Sequence, residues 1–173
     1  NVLVENLYKL FYIVLLCFLF TSTSFSNEPV AYIDIDFILK NSDIGKESLE
    51  KINTQNNKNI QDLKKKEKIL KDLEIEIASK KNIISKDAFD KEVIIFKKNI
   101  DQFKIEQQQI IKDFNDYKKK EIDKVFQIIS PIINSYMETN SVKILFDAKN
   151  IFMARNDLNL TNDLLEAINK EAK

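Results

Sequence analysis

The sequence predicts a mostly helical protein, in which two long helices form an antiparallel coiled-coil hairpin held by a small β-containing body. Residues 44–138 contain one glycine, Gly45, and one proline, Pro131, and their apolar residues recur at helical spacing on both sides of a polar turn at 81–85. The whole chain of 173 residues has one Gly and two Pro, too few for the many turns of a sandwich or a Rossmann-type sheet. The composition therefore favours long uninterrupted helices.

The composition is that of one folded domain, with 44% hydrophobic and 31% charged residues and a net charge of zero. Residues 44–125 hold 20 Lys against 16 Asp and Glu, a balance of +4, whereas the rest of the chain after residue 26 holds 6 Lys and Arg against 10 acids, a balance of −4. This difference biases the orientation of a charged partner at low salt. It does not predict nucleic-acid binding, which needs a concentrated basic face.

Residues 1–26 have the pattern of a secretory signal peptide, with Lys9 before an apolar run at 10–20 and small residues at Ser24 and Ser26. We expect cleavage near Ser26 and export. The alternative is an uncleaved anchor, but an apolar run of about eleven residues is shorter than the about 20 that a bilayer core requires.

The residue types also bear on chemistry. Cys17 lies in the apolar run and the sequence has no His, so the mature chain would lack both residue types. Disulfides, thiol chemistry, imidazole bases and zinc sites are then excluded. Asp34 and Asp36 would share one face of a strand, but without a third ligand we interpret them as capping or solvated charges. We expect no catalytic residue, metal or cofactor, and no enzyme activity.

The chain after the signal peptide begins with a predicted strand at 30–35, which alternates and is β-rich. Asp36 is expected to cap a short helical turn at 37–39. The cluster Asn41, Ser42 and Asp43 places oxygen acceptors and negative charge where the first long helix should begin.

Both long helices carry a heptad seam. In the first helix the two stripes are Leu49, Asn56, Leu63, Leu70, Ile77 and Ile52, Asn59, Lys66, Leu73, Lys80. In the second they are Phe89, Phe96, Phe103, Ile110, Tyr117 and Val93, Ile100, Gln107, Phe114, Ile128, interrupted by Glu121. The polar members of the seam are interpreted as residues that fix the register and permit flexing.

A turn centred near residue 83 predicts that positions summing to about 165 lie opposite each other, so that Leu70 faces residues 93–96. The second helix would then extend past the first. The apolar residues Ile122, Val125, Phe126, Ile129 and Ile132 around Pro131 predict that this extension enters a core, with a kink at the proline.

Isoleucines outside the seam leave more apolar surface than a contact between two helices can bury, which marks an interaction surface. Further packing within an oligomer is the competing explanation. The residues proposed to contact a partner are Ile60, Ile69, Ile75, Ile94, Ile95, Ile105 and Ile111.

Lys80, Lys81 and Lys86 cluster at the hairpin turn with few acids beside them in sequence. They either keep an exposed tip soluble or contact anionic lipid or an acidic segment of a partner. The lysine runs at 64–66 and 118–120 are interpreted as solvated helix faces rather than nucleic-acid sites.

The C-terminal part predicts two further strands and a helix. Residues 142–146 and 151–154 are short apolar runs that predict a hairpin about the turn at 147–150, and Thr161 is expected to cap a last helix that buries Leu164, Leu165 and Ile168. So small a body exposes sheet edges, and we expect it to complete its core by oligomerising. The residues predicted to contact other copies are Val30, Tyr32, Ile144, Phe146 and Phe152.

The two ends of this pattern resemble the Skp family of chaperones, also called the OmpH family. Residues 30–39 with 42–46 resemble its N-terminal strand and the entry to its first helix, and 142–147, 151–154 and 158–161 resemble its C-terminal hairpin and capped last helix. The arms match only as coiled coil. Asn159 stands where the family tends to have an acid before the Leu-Thr pair.

The resemblance implies a homotrimer with a β-barrel-like body formed from residues 27–43 and 139–173, and helical hairpin arms at 44–138 that enclose a cavity. It implies a periplasmic holdase that binds unfolded outer-membrane proteins without ATP. The alternative from another class is a structural coiled-coil tether of the cell envelope, which would have a fixed partner. The lack of His and Cys disfavours an enzyme.

Overall fold

The computed structural model describes residues 30–172, and the predicted signal peptide lies outside these residues. The mostly helical class with a small β part is confirmed. The elements in chain order are β1 (Val30–Ile33), α1 (Ile35–Asn41), α2 (Asp43–Lys80), α3 (Lys86–Thr139), β2 (Ile144–Asp147), 3-10 turns at Ala148–Asn150 and Asn156–Leu158, and α4 (Thr161–Glu171).

Helices α2 and α3 run antiparallel and make up the arm. They have 38 and 54 residues and are therefore about 57 and 81 Å long at 1.5 Å per residue. The Ser42 hydroxyl caps α2 by accepting from the Gly45 N–H at 3.2 Å, and the Ser85 hydroxyl accepts from the Ala88 N–H at 3.4 Å at the start of α3. The cap predicted at Ser42 is thereby confirmed.

The register of the arm differs from the predicted one. The Lys80 ammonium lies 3.2 Å from the Glu92 carboxylate, the Ser48 hydroxyl donates to the Glu121 carbonyl at 3.2 Å, and Leu70 lines one groove with Phe103. Opposed positions therefore sum to about 172 over most of the arm, so the predicted pairing of Leu70 with residues 93–96 is wrong by one heptad. A sum of about 172 places the centre of the hairpin near residue 86, at the start of α3, rather than in the middle of the connecting turn at 81–85.

The core forms where the end of α3 meets the body. Val125, Ile129 and Ile132 of α3 pack there and are at most 9% exposed, which confirms that the extension of the second helix enters a core. The other buried residues of this core come from three body elements: Ile33 from β1, Ile38 from α1, and Leu164 and Ile168 from α4. The arm is thus anchored by its longer helix.

The sheet has two parallel strands, with Val30 opposite Ile144 and Tyr32 opposite Phe146. The predicted antiparallel hairpin is wrong, because residues 151–154 pair with no strand among the described residues. The Asp147 carboxylate accepts from the Lys149 N–H at 3.2 Å and starts a 3-10 turn, which leads the chain away from β2. The long crossover through α2 and α3 makes the parallel pairing possible.

The chain then returns to the other edge of β1, where Asn159 bridges Tyr32 and the Leu160 N–H donates to the Tyr32 carbonyl at 2.9 Å. The predicted cap at Thr161 is wrong, because Thr161 is the first residue of α4 and Leu160, which precedes it, makes no side-chain cap. The Thr161 hydroxyl accepts from the Asp34 N–H at 2.9 Å and lies 2.6 Å from the Asn159 amide oxygen, so it joins the start of α4 to the end of β1.

Two details at the entry to α2 correct or extend the sequence interpretation. Asp34, not Asp36, caps α1 by accepting from the Phe37 N–H at 2.8 Å, because the helix begins at Ile35 and leaves Asp36 in its first turn. Gly45 permits the sharp junction between α1 and α2. A Cβ at this position would lie 2.1 Å from the Leu39 carbonyl oxygen, a distance that real side chains do not adopt.

Candidate functional site

The seven isoleucines singled out in the sequence are all exposed, with exposed fractions from 41% for Ile60 to 66% for Ile94. Helix α3 buries its own seam against α2 and has no other partner along the middle of the arm among the described residues. The arm therefore carries apolar surface that this chain leaves in contact with solvent.

Heptad spacing divides these isoleucines between two sides of the arm. Residues just after a seam position, such as Ile60 and Ile111, flank one side of the arm, which we call the far side. In the register given by the Lys66–Glu106 pair, Ile60 of α2 and Ile111 of α3 lie at the same height along the arm. Ile94 also lies on the far side. Residues just before a seam position, such as Ile69, flank the opposite side. Ile75 and Ile105 lie on the outer lines of their helices, so the seven do not form one patch.

The side that carries Ile69 is grooved, and we call it the groove side. One groove of about 280 Å³ has Leu70 and Phe103 on its floor and Asn99, Gln102 and Glu106 on its rim. A second, of about 320 Å³, lies nearer the body and is lined by Gln55, Asn59, Ile110, Asp113, Phe114 and Tyr117. Ile95 lies seven residues before Gln102 and therefore belongs to the same side.

Two further hollows, of about 370 and 170 Å³, continue the groove side to the root of the arm. The hollow nearer the grooves shares Gln55 and Tyr117 with the second groove. The hollow nearer the body shares Glu47 and Lys51 with that first hollow. The groove side is therefore hollowed from Ile44 to Leu70 along α2, except between Asn59 and Lys66, where no residue of the described chain lines a groove. It exists because the seam of α2 places polar Asn59 and Lys66 opposite ring-bearing side chains, which prevents close packing there.

Glu121 at the root is 6% exposed and replaces an apolar member of the seam. Its carboxylate pairs with Lys124, and its carbonyl accepts from the buried Ser48 hydroxyl. Sequence analysis identified Glu121 only as a break in the seam. The amides on the groove rim were missed as well, since a surface Asn or Gln carries no signal until the register of the two helices is known.

The tip lysines are not equivalent. The Lys80 ammonium lies 2.8 Å from Glu76 and 3.2 Å from Glu92, and hydrogen bonds to Glu76 and then Glu92 raise the pKa of Lys80. The interpretation that few acids lie near the tip is therefore wrong for Lys80, because Glu92 approaches it from the other helix. Lys81 and Lys86 are exposed and form no ion pair within residues 30–172.

Four of the five residues predicted to contact other copies share one face of the sheet. Val30 and Tyr32 alternate with buried Ala31 and Ile33, and the parallel register brings Ile144 and Phe146 beside them. Ile144 is 50% and Phe146 46% exposed. Phe152 lies beyond β2 and is fully exposed, next to Met153 at 82%. This outer face and the segment at 151–154 are apolar and uncovered in the described chain.

The described residues offer little for metal or membrane chemistry. Among residues 30–172, no three His, Cys, Asp or Glu side chains gather in a group that could hold a metal ion. Within the same range, no helix combines the length and the apolar character needed to cross a bilayer.

A long helical arm with exposed apolar surface on a small α/β body defines a binding protein. The family model described as outer membrane protein (OmpH-like) matches residues 29–168, so the chain belongs to this OmpH-like family. As a member of this family, the chain is not an enzyme.

Comparison with solved structures supports the same fold. A crystal structure of a protein from Caulobacter crescentus CB15, assigned as an OmpH-like outer membrane chaperone, matches with a TM-score of 0.74 and 16% identity over 82% of this chain and 84% of that one. Comparison with curated proteins gave no match.

Proposed function

We propose that this protein is an ATP-independent holdase chaperone of the periplasm, which binds unfolded outer-membrane β-barrel proteins and prevents their aggregation before membrane insertion. The observation that carries this proposal is the apolar surface of the arm, where seven isoleucines are 41–66% exposed. Membership of the OmpH-like family and the chaperone assignment of the Caulobacter protein support it.

Holding would come from many weak apolar contacts rather than from one specific site. Each contact removes apolar area from water, at about 25 cal/mol per Å². Such contacts are non-directional, so they suit a client without fixed structure. The mild excess of lysine in the arm would steer acidic clients towards it.

We propose that the body forms a homotrimer through the outer face of the sheet, by Val30, Tyr32, Ile144 and Phe146, together with Phe152. Among residues 30–172, β2 pairs with β1 on one edge only, so in this part of the chain its other edge has backbone groups that a strand from a second copy could pair. The exposed segment at 151–154 is apolar and can supply such a strand. Three arms would then enclose the client.

The proposal includes export with cleavage near Ser26, and contact of the arm tips with anionic lipid through Lys81 and Lys86. Lys80 contributes less to such a contact because Glu76 and Glu92 neutralise it. A structural tether of the envelope would share the long arm but would bind one fixed partner.

The test is size-exclusion chromatography with light scattering, on the protein alone and mixed with a β-barrel client diluted from urea. The protein alone should have the mass of three chains, and the mixture should give a soluble complex that contains the client. The variant Phe146→Asp should shift the mass towards one chain, whereas the matched change Ile105→Asp on the arm should leave it unchanged. A wild-type monomer would contradict the trimer, and a client found only in the pellet would contradict the holdase.

A further inference from the structure

The groove side is distinguished by its long run of grooves and by the different charges on the two helices that form its walls. It runs along α2 from Ile44 to Leu70, a rise of 26 residue steps or about 39 Å of helix. Residues that line a groove or hollow occur over most of that length. An extended polypeptide rises about 3.3 Å per residue, so about twelve residues match this length.

The wall formed by α2 carries a line of three lysines, although Glu47 and Glu50 also line the hollow at its root. Lys51 lines the root of the groove, and Lys58 and Lys65 follow it at intervals of seven, which keeps them on the same line of the helix. All three are exposed. Lys51 shares its charge with Glu47 at 2.7 Å, and Lys65 lies 3.8 Å from Asp62.

The wall formed by α3 is acidic and rich in amides. Glu106 and Asp113 line the two grooves, and Asp116 continues the acidic line towards the root. Asp113 accepts from Gln109 at 2.7 Å. An anionic surface, such as a layer of phospholipid headgroups, meets repulsion from this wall, whereas a chain with side chains of both signs can place each beside its opposite.

The floor and the rim fit an unfolded backbone. Leu70 and Phe103 on the floor would bury apolar side chains of a client. The groove nearer the tip carries Asn99 and Gln102 on its rim, and the groove nearer the body carries Gln55, whose Nε2 donates to the seam residue Asn59 at 2.9 Å. Each of these amides has both donor and acceptor groups. An extended segment has unpaired N–H and C=O groups on both edges that such amides satisfy, whereas a helix has already paired its own.

We infer that the groove side holds an extended segment of unfolded polypeptide about twelve residues long, with its acidic side chains towards Lys51, Lys58 and Lys65 and its basic ones towards Asp113 and Asp116, since Glu106 already pairs with Lys66. This rests on the proposed holdase function and adds to it the side of the arm and the conformation of the client. It also divides the candidate isoleucines, since Ile69 and Ile95 lie on this side and Ile60, Ile94 and Ile111 on the other.

The first test places a benzophenone photo-crosslinker on the full mature chain through a single cysteine. Asn99→Cys puts it on the groove rim, and Asn115→Cys puts it on the far side of the same helix at a similarly exposed asparagine. Each labelled protein is mixed with a urea-denatured β-barrel client, and separately with phosphatidylglycerol vesicles, and is irradiated. Client aggregation is measured on the same samples.

Position 99 should crosslink the client at least about fivefold more than position 115, because crosslinking requires close approach. Equal or reversed yields in samples that still suppress aggregation would overturn the groove while leaving the holdase intact. Crosslinking of position 99 to lipid in preference to the client would also overturn it. A failure of both labelled proteins and the wild type to suppress aggregation would instead contradict the holdase itself.

The second test reverses two charges on one wall and compares this variant with one that has the same change in net charge on the other side of α2. Lys58→Glu with Lys65→Glu makes both walls acidic, and Lys64→Glu with Lys71→Glu makes the same charge change on the far side of α2. At physiological salt, where the Debye length is about 8 Å, the groove pair should raise the client Kd about fivefold and the far pair less than about twofold, because screened charges act only on a client close to them. Equal effects would show that only net charge matters and would overturn the assignment.

Discussion

The ammonium of Lys66 in α2 pairs with the carboxylate of Glu106 in α3, forty residues away in the chain. Lys80 pairs with Glu92 in the same way, two heptads nearer the tip on both helices. Both lysines occupy seam positions where an apolar residue would pack better. A register shifted by one heptad would place Asn99 opposite Lys66 and would break both pairs, so these ion pairs select one register among those that the heptad repeat permits.

The first prediction tests this selection by exchanging charges. Glu106→Lys should destabilise the arm, and the swap Lys66→Glu with Glu106→Lys should recover most of the loss, with a coupling free energy of about 0.5–1 kcal/mol for a half-exposed pair. Urea unfolding of the two single variants and the double variant measures the coupling. A coupling of zero would mean that the pair has no part in setting the register.

The second prediction concerns the junction between α1 and α2. Gly→Ala inside a helix usually stabilises by about 0.5–1 kcal/mol. Gly45→Ala should instead destabilise by about 2 kcal/mol or more, because the added Cβ meets the Leu39 carbonyl oxygen at 2.1 Å and the Ser42 hydroxyl at 2.7 Å. Thermal unfolding compares it with Asn115→Ala at an exposed helical position. A raised Tm for Gly45→Ala would contradict the close approach.

The third prediction is a pH dependence. A hydrogen bond from Lys149, whose ammonium lies 2.9 Å away, lowers the pKa of Asp147 below its ordinary value of 3.8. A lowered folded-state pKa gives stability that is present above the unfolded value and is lost as the pH falls through the folded value. Asp147→Asn keeps an oxygen that can accept from the Lys149 N–H but removes the charge.

The free energy of unfolding of Asp147→Asn should therefore lie below that of the wild type at pH 7, and the gap should shrink as the pH falls below 3.8. Urea unfolding at pH 7 and at successively lower pH measures it. A gap that stays constant with pH would show that the carboxylate charge contributes nothing.

The fourth prediction separates the two sides of the arm. Ile69→Ser with Ile95→Ser should raise the client Kd about threefold or more through loss of apolar contact on the groove side, whereas Ile60→Ser with Ile111→Ser should change it by less than about 1.5-fold. All four side chains are 41–65% exposed, so unfolding free energies should stay within about 0.5 kcal/mol of the wild type. The opposite ranking would assign client contact to the far side.

Much of the helical structure could be predicted because local chemistry specifies it. Ser42 marks the start of α2, and Val125, Ile129 and Ile132 mark the entry of α3 into the core. These features depend on capping and on the helical period, which involve only neighbours in the chain.

The parts that could not be predicted depend on contacts between distant residues. A heptad seam looks the same after a shift of seven residues, and only the pairing of Lys66 with Glu106 distinguishes the two registers. The groove side and the pairing of Lys80 with Glu92 follow from that register. Residues 151–154 have the composition of a strand, but Asp147 turns the chain away from β2, so no partner within the described chain is in reach.

The central claim is that this chain keeps an unfolded client soluble. Light scattering at 350 nm, recorded as a denatured β-barrel protein is diluted from urea with and without a several-fold molar excess of this protein, tests it most directly. Scattering by the client should be strongly suppressed without ATP, and the suppression should increase with the amount of this protein. Client scattering that is unchanged at this excess would rule out the holdase function.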